Sequence, residues 1–356
     1  MPLTVLSVSY PLAPVKESTA GGAEQVLAAL DAAIVAAGEH SLVLAPAGSK
    51  VRGTLLPSSP VKSNLTEEFH TDACREYKRL IEIAIRDFHV DIVHMHGLDF
   101  YRYLPESGTP VVVTLHLPLH FYPLEVFRSP RPHLHLICVS HSQAEKCPEG
   151  FPRQIIANGV ALPFSDFPRA KGNYLVCMGR ICPEKGFHLA MDAATECNIP
   201  LVLAGTVFGY GSHQEYFETS IKPRLVPPHR FVGAVGGKQK LQLLAGARCL
   251  VVPSLVDETS CLVAMEAMAC GTPVVGFRRG ALVNVVEHEK TGFLVDTPAQ
   301  LPIAILATRE LSASLCRETA RRCFPAKRML DRYLFLYRQV AKVQSLAHSQ
   351  ELQRVA

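Results

Sequence analysis

The sequence contains no run of about 18 uninterrupted apolar residues, so it predicts no membrane-spanning helix. It also has no Cys-x-x-Cys pair. Its 11 cysteines are scattered, several inside apolar runs such as LICVS and YLVCMG. An odd, dispersed set argues against a disulfide framework. The expectation is buried thiols in a reducing cytosol, with no zinc site. The net charge is only +4, with no dense basic stripe, which excludes nucleic acid as the expected partner. That mild bias fits an anionic small ligand. The opening MPLTVLSVSYPLAPV lacks a basic stretch and holds prolines, so it reads as a first strand rather than a signal peptide. A cytoplasmic location is therefore expected. Low-complexity segments and short-period repeats are missing as well.

What is present is a large apolar fraction. The chain has 356 residues, 48% hydrophobic and 19% charged. That length suits two domains of roughly 150 to 180 residues. Short β-branched runs alternate with longer helical patterns, the signature of parallel sheets covered by helices. In the first half, strands are expected at Leu3–Ser9, His40–Leu44, Asp91–His94, Val111–His116 and Leu136–Ser140, with helices at Ala23–Ala37 and Thr71–Phe88. The text LPFSDFPRAKG, Leu162–Gly172, reads as a linker. Then the pattern restarts: strand Asn173–Met178, helix Gly186–Cys197, strand Leu201–Ala204, helix Lys238–Ala245, strand Cys249–Pro253, and later strand Pro273–Phe277. Two similar α/β domains follow, residues 1–165 and 170–324, with a tail helix at 325–349 that completes the first. In that tail Tyr333, Leu334, Leu336, Tyr337 and Val340 are the main apolar positions. Its Lys327, Arg328, Arg332 and Arg338 read as a solvated face, at most a weak peripheral membrane contact.

The stretch Asp257–Val275, DETSCLVAMEAMACGTPVV, raises the central question. It reads as loop, helix and strand. Thr259 or Ser260 is expected to cap a helix over Leu262–Cys270, and Gly271 with Pro273 ends it. Such a helix starts at the carboxyl end of a parallel strand, where open α/β sheets bind ligands. The free amides near Cys261 and Leu262 form an anion site. Glu258 lies in the loop above. Glu266 lies about 8 Å along the helix, at ~1.5 Å per residue. A carboxylate among Leu, Val, Ala and Met costs several kcal/mol unless it is paired or hydrogen-bonded. A ligand with hydroxyls at both ends and a phosphate between fits this spacing, and a nucleotide sugar is such a ligand. The competing reading pairs Glu266 with an arginine and leaves Glu258 a solvated loop acid.

Other residues fall at comparable places. In MGRICPEKG, Met178–Gly186, the cations Arg180 and Lys185 stand at a strand end and can hold a diphosphate; alone they could equally be a solvated basic turn. Gly21 and Gly22, ahead of Glu24 in TAGGAEQVLAAL, permit close backbone approach to a ligand, or merely a tight turn. The segment is no Gly-x-Gly-x-x-Gly fingerprint, which disfavours a dinucleotide. His116 ends a strand and could bond a sugar hydroxyl, or be a structural histidine; His96, in HMHGLDF, could lie near an acceptor.

Together these motifs carry a resemblance. ETSCLVAMEAMACGTPVV is similar to the E-x7-E signature of glycosyltransferase family 4, which often shows E-P-F-G-L-x-x-x-E-A-M-A-x-G-x-P-V-V. GRICPEKG resembles the family's G-R-x-x-x-x-K-G element, and TAGGAE its G-G-x-E loop. The resemblance implies the GT-B fold: two Rossmann-like α/β domains, the first for the acceptor, the second for the donor, with a tail helix crossing back. It implies that Glu258 contacts donor-sugar hydroxyls and Glu266 the ribose diol, while Arg180 and Lys185 hold the diphosphate. It further implies that His116 approaches the donor sugar. Gly205 in LVLAG and Gly233 in HRFVGAVGG would form a glycine rim around the donor. Asn158 and Gly159 match the family's N-G-V turn and read as structural. Cys261 stands where the family has glycine, and Asn284 where it usually has glutamate. The implied activity is retaining transfer of a hexose from a nucleotide-diphosphate sugar by front-face displacement. UDP-glucose is the first donor to consider, and the acceptor is a hydroxyl on a small metabolite, a saccharide or a lipid. The sequence contains no Asp-x-Asp metal motif, so metal independence and no cofactor are expected. An epimerase or hydrolase of the same fold, or a silent sugar-nucleotide-binding subunit, are the rival readings.

Overall fold

The structure is a computed structural model that describes residues 2–16, 21–106, 108–128, 133–149, 151, 154–162 and 171–355, with side chains to residue 343. The expected linker at 162–172 lies largely outside these residues. The chain divides into two compact α/β units, one holding residues 2–16, 22–157 and the chain from Arg328 onward, the other Gly21 and Asn158–Lys327.

In the first unit, seven parallel strands form one sheet. They are β1 (Thr4–Val8), β2 (His40–Pro46), β3 (Thr54–Ser58), β4 (Ile92–Met95), β5 (Val111–Leu115), β6 (Leu134–Cys138) and β7 (Gln154–Ile155). Their order is β3-β2-β1-β4-β5-β6-β7. Winding reverses between β1 and β4, where Val8 lies in register with both Leu44 and Met95. Strands buried on both faces explain the near-continuous apolar runs of β4 and β5. The helix Glu67–Phe88 begins where Thr66 Oγ1 accepts from the Phe69 amide at 3.2 Å.

The tail helix Ala326–Val355 belongs to this unit for most of its length. It buries Met329, Tyr333, Tyr337 and Val340 and leaves Arg332 and Arg338 exposed. The Tyr333 hydroxyl is 2.7 Å from Thr114 Oγ1, and the Tyr337 hydroxyl is 2.6 Å from His94 Nδ1.

The second unit has six parallel strands: β8 (Leu175–Arg180), β9 (Leu201–Thr206), β10 (Arg230–Phe231), β11 (Cys249–Val252), β12 (Val274–Phe277) and β13 (Gly292–Val295). The order is β10-β9-β8-β11-β12-β13, so winding reverses between β8 and β11. That reversal puts the ends of β8 and β11 side by side at the carboxyl edge, the binding edge of such sheets. Among the described residues no helix is long and apolar enough to cross a membrane.

Candidate functional site

The helix Leu262–Ala269 starts just beyond the carboxyl end of β11. Its first residue follows Cys261, which adopts a left-handed conformation at φ 53° and ψ 62° and makes no side-chain cap bond. The expected cap by Thr259 or Ser260 is therefore corrected. Ser260 Oγ instead accepts from Asn158 Nδ2 at 2.8 Å, and the chain enters the helix through the left-handed turn at Cys261. Glycine takes that conformation freely, whereas any residue with a Cβ carries about 1–2 kcal/mol of strain there. Within the helix, Ala264 and Met265 both donate to the Cys261 carbonyl, so the amides of Leu262 and Val263 have no acceptor in the helix itself.

Glu258 sits in the loop before this turn, its backbone pinned by residues 280 and 281. The Ala281 amide donates to the Glu258 carbonyl at 2.7 Å, and a Cβ on Gly280 would lie 2.4 Å from the same oxygen. The carboxylate is met by Lys185, whose Nζ donates to Glu258 Oε1 at 2.6 Å. Burial pushes the carboxyl's pKa up. The charge and hydrogen bond of Lys185, with Ser254 and Arg180, outweigh it and hold the group below its ordinary 4.5. Lys185 shows the reciprocal balance: burial lowers its pKa, but Glu258 brings it above 10.5. Lys185 is carried by the turn Pro183–Lys185, followed by Gly186 at φ 60°, where a Cβ would lie 2.3 Å from the Pro253 carbonyl. Arg180 closes β8, and its charge acts on both Lys185 and Glu258.

Glu266 is paired with a lysine. Lys240 Nζ, from the helix Gly237–Gly246, donates to Glu266 Oε1 at 2.5 Å. Burial raises the carboxyl's pKa above 4.5, more than Lys240 lowers it. Glu266 Oε2 is buried without a hydrogen-bond partner. Sequence reasoning missed Lys240; the sole signal was its place in a helix ahead of β11, 26 residues from its partner.

The glycines fall at the ends of neighbouring strands. Gly205 pairs with Gly179, and a Cβ on Gly205 would stand 1.8 Å from the Gly179 carbonyl oxygen. The Gly205 amide donates to the Gly233 carbonyl at 2.8 Å, and Gly233 is left-handed at φ 69°.

In the first unit, Gly22 opens the helix Gly22–Ala36, Gly21 directly precedes it, and Glu24 is buried in its first turn. His116 follows β5. Its Nε2 is 3.0 Å from His96 Nδ1, and the two rings stack at 5.2 Å. His94, on β4, packs against His96 at 4.1 Å between ring centroids. Burial lowers all three imidazoles: His94 and His116 fall to about 3, and His96 well below its ordinary value. All three are therefore neutral near pH 7. A Cβ on Gly159 would lie 2.8 Å from the Pro325 carbonyl, and the neighbouring Asn158 leaves its buried Oδ1 without a hydrogen-bond partner. Asn284 is exposed on the short helix Leu282–Val285.

Two family models match the chain in tandem: Glycosyltransferase Family 4 over residues 20–163 and Glycosyl transferases group 1 over residues 162–319. Among curated proteins, an uncharacterised glycosyltransferase of Methanocaldococcus jannaschii is 34% identical over 127 residues, 34% of this chain and 31% of that one. A D-inositol 3-phosphate glycosyltransferase of Saccharomonospora viridis is 32% identical over 158 residues, 42% of this chain and 36% of that one. The matches thus span about a third of these relatives' own length. Among solved structures, a glycosyltransferase involved in avilamycin A biosynthesis superposes with a TM-score of 0.71 at 26% identity, over 96% of this chain and 98% of that one. An Anabaena protein solved in complex with UDP and glucose shares the fold, with a TM-score of 0.70 at 19% identity over 96% and 99% of the two chains. Both units accordingly have the GT-B type of Rossmann-like sheet.

Proposed function

The chain belongs to the family 4 glycosyltransferases, and on that premise we propose that it is a retaining enzyme moving a hexose from a nucleotide-diphosphate sugar to a hydroxyl acceptor. The donor we propose first is a UDP-sugar such as UDP-glucose. The reaction needs no metal in this reading. One observation carries it: Lys185, Arg180, Glu258 and the unpaired first amides of the helix Leu262–Ala269 meet at the carboxyl edge of one sheet.

That arrangement supports a diphosphate seated on the helix amides, with Arg180 and Lys185 beside it. Lys185 then turns from Glu258 toward phosphate, and Glu258 is released to accept sugar hydroxyls. Glu266 Oε2, buried without a partner, is suited to accept from a ribose hydroxyl. As the bond to the anomeric carbon breaks, negative charge grows on the departing diphosphate. The two cations and the amides stabilise it. The leaving phosphate takes the acceptor's proton on the same face. His116 is proposed to bond a sugar hydroxyl, and the first unit to hold the acceptor. The eleven unjoined thiols support a cytoplasmic setting.

The test is calorimetric titration of the chain, without metal, against UDP, GDP, ADP and their sugar forms. Saturable binding of one series, lost in Arg180→Ala, is the expected result. No binding by any series overturns the proposal.

A further inference from the structure

Beside the basic turn of the second unit lies a cluster that the proposed transfer does not use. Cys182, Glu184 and His213 each offer one ligand atom, and those atoms lie within 4.8 Å of one another. Cys182 and Glu184 flank Pro183 in the turn that carries Lys185, and His213 comes from the helix Gly211–Tyr216. Two of the three side chains keep one polar atom unsatisfied. Glu184 Oε2 and His213 Nδ1 are both buried with no hydrogen bond. The Cys182 thiol makes a weak bond, donating to the Arg180 carbonyl at 3.6 Å, and it also interacts with the Glu184 carboxylate. Buried polar atoms are nearly always satisfied, so two unsatisfied ones on the residues of a single cluster need an explanation.

We propose that these residues bind a zinc ion, through Cys182 Sγ, Glu184 Oε2 and His213 Nδ1. The donor set selects the metal: thiolate and imidazole favour Zn²⁺, whereas Mg²⁺ and Ca²⁺ take oxygen ligands. Zinc bonds of about 2.0–2.3 Å bring tetrahedral ligands to about 3.5 Å from each other, a small side-chain closure from the present spacing. Charge also balances. A thiolate and a carboxylate neutralise the dication, so the nearby Arg180 faces a centre with no net charge. On binding, the Sγ–H bond gives way to Sγ–Zn and the proton leaves to solvent. The ion is a fastener: it ties the Pro183 turn to the helix Gly211–Tyr216. Lys185, which ends that turn, is then held in place through the turn's backbone. The sequence gives no sign of this, because His213 lies 29 residues beyond Glu184 and no metal-ligand spacing links them.

A second His/Cys/Asp group, His70, Cys74 and Asp99, lies in the first unit and serves as the control. There the carboxylate is already satisfied. Asp99 takes His70 and Cys74 on one oxygen and the Tyr103 hydroxyl on the other at 2.8 Å.

The experiment loads the full chain with Zn²⁺, dialyses it and counts metal, then repeats the loading with Co²⁺ and records the visible spectrum. One zinc per chain and a cobalt–thiolate charge-transfer band are expected. Cys182→Ser should abolish the band, His213→Ala should weaken zinc affinity at least tenfold, and Cys74→Ser should leave both unchanged. Circular dichroism establishes that each variant is folded, and either of the first two variants is decisive alone if the other does not fold. No zinc retained by the wild type overturns the proposal. So does a band that survives Cys182→Ser and His213→Ala, or one that disappears in Cys74→Ser.

Discussion

Lys185 Nζ stands 2.6 Å from Glu258 Oε1, so a cation assigned to phosphate and an acid assigned to sugar hydroxyls hold each other. The pair is partly buried, with side-chain exposures of 22% and 11%. It keeps both groups charged and aimed before a ligand arrives. A diphosphate competes for the lysine, and sugar hydroxyls compete for the acid.

Lys185→Met should leave Glu258 partly buried and unpaired, lowering stability by at most about 3 kcal/mol, the low end for broken buried pairs because both groups keep some exposure. Glu258→Gln alone should cost less. The double variant should recover most of the loss. Chemical denaturation of the four proteins checks this, and additive losses would show that the pair is not coupled.

Glu258→Gln should abolish sugar transfer yet leave nucleotide affinity within about threefold, a difference under 1 kcal/mol. Glu266→Ala should do the reverse at the binding stage, weakening nucleotide affinity by about tenfold or more. Calorimetry and a turnover assay on the two variants separate the roles. Unchanged nucleotide affinity in Glu266→Ala removes the ribose contact.

At Cys261 the backbone is left-handed and the side chain is buried. Cys261→Gly should lose thiol packing but relieve strain, leaving the melting temperature within a few degrees of wild type. Cys261→Val adds a branched Cβ at φ 53° and should destabilise by about 1–3 kcal/mol. Thermal unfolding of both variants tests the asymmetry.

Gly205→Ala puts a Cβ 1.8 Å from the Gly179 carbonyl oxygen between two paired strands. Backbone must shift, at a cost of about 3 kcal/mol, the upper part of the usual range for overpacking. A melting temperature equal to wild type would mean that β8 and β9 sit farther apart than this.

The buried imidazoles predict acid sensitivity. His94, His96 and His116 have pKa values lowered by burial, so the unfolded chain binds protons more readily than the folded one. Their contribution is whole above about pH 6.5 and shrinks as pH falls below it, by up to ~1.4 kcal/mol per unit for each ring. His70 acts oppositely. Its bond to Asp99 raises its pKa, so its contribution is present below 6.5 and lost as pH climbs past the raised value. Three groups outweigh one, and unfolding midpoints at pH 5 should lie below those at pH 7.5. Equal midpoints would mean that the three rings are hydrated.

Most of the fold was legible because parallel strands buried on both faces leave unbroken apolar runs. The expected strand at His40–Leu44 and the helix at Ala23–Ala37 differ from the structure by one or two residues at their ends. The strands missed, β3, β7 and β13, all lie at sheet edges. In β3 Pro57 interrupts the signal, and β7 is only two residues long. In the site, the Glu258 loop and the Arg180–Lys185 turn announced themselves through spacing. Their pairings did not, because Lys185 meets Glu258 across 73 residues and Lys240 meets Glu266 from another helix. The helix cap was misread because Ser260 looks like a cap in one dimension, while in three its hydroxyl is taken by Asn158.

The tail helix gives the chain an order of assembly. Tyr333 and Tyr337 reach Thr114 and His94 in the middle of the first sheet, across 219 and 243 residues of sequence. During synthesis every strand of that sheet leaves the ribosome before the two tyrosines that complete its hydrogen bonds. The second unit is interrupted by nothing after Asn158 and can close as soon as Lys327 has emerged. The half of the protein made first is thus the half finished last, with buried histidine and threonine groups awaiting their partners until translation is nearly done.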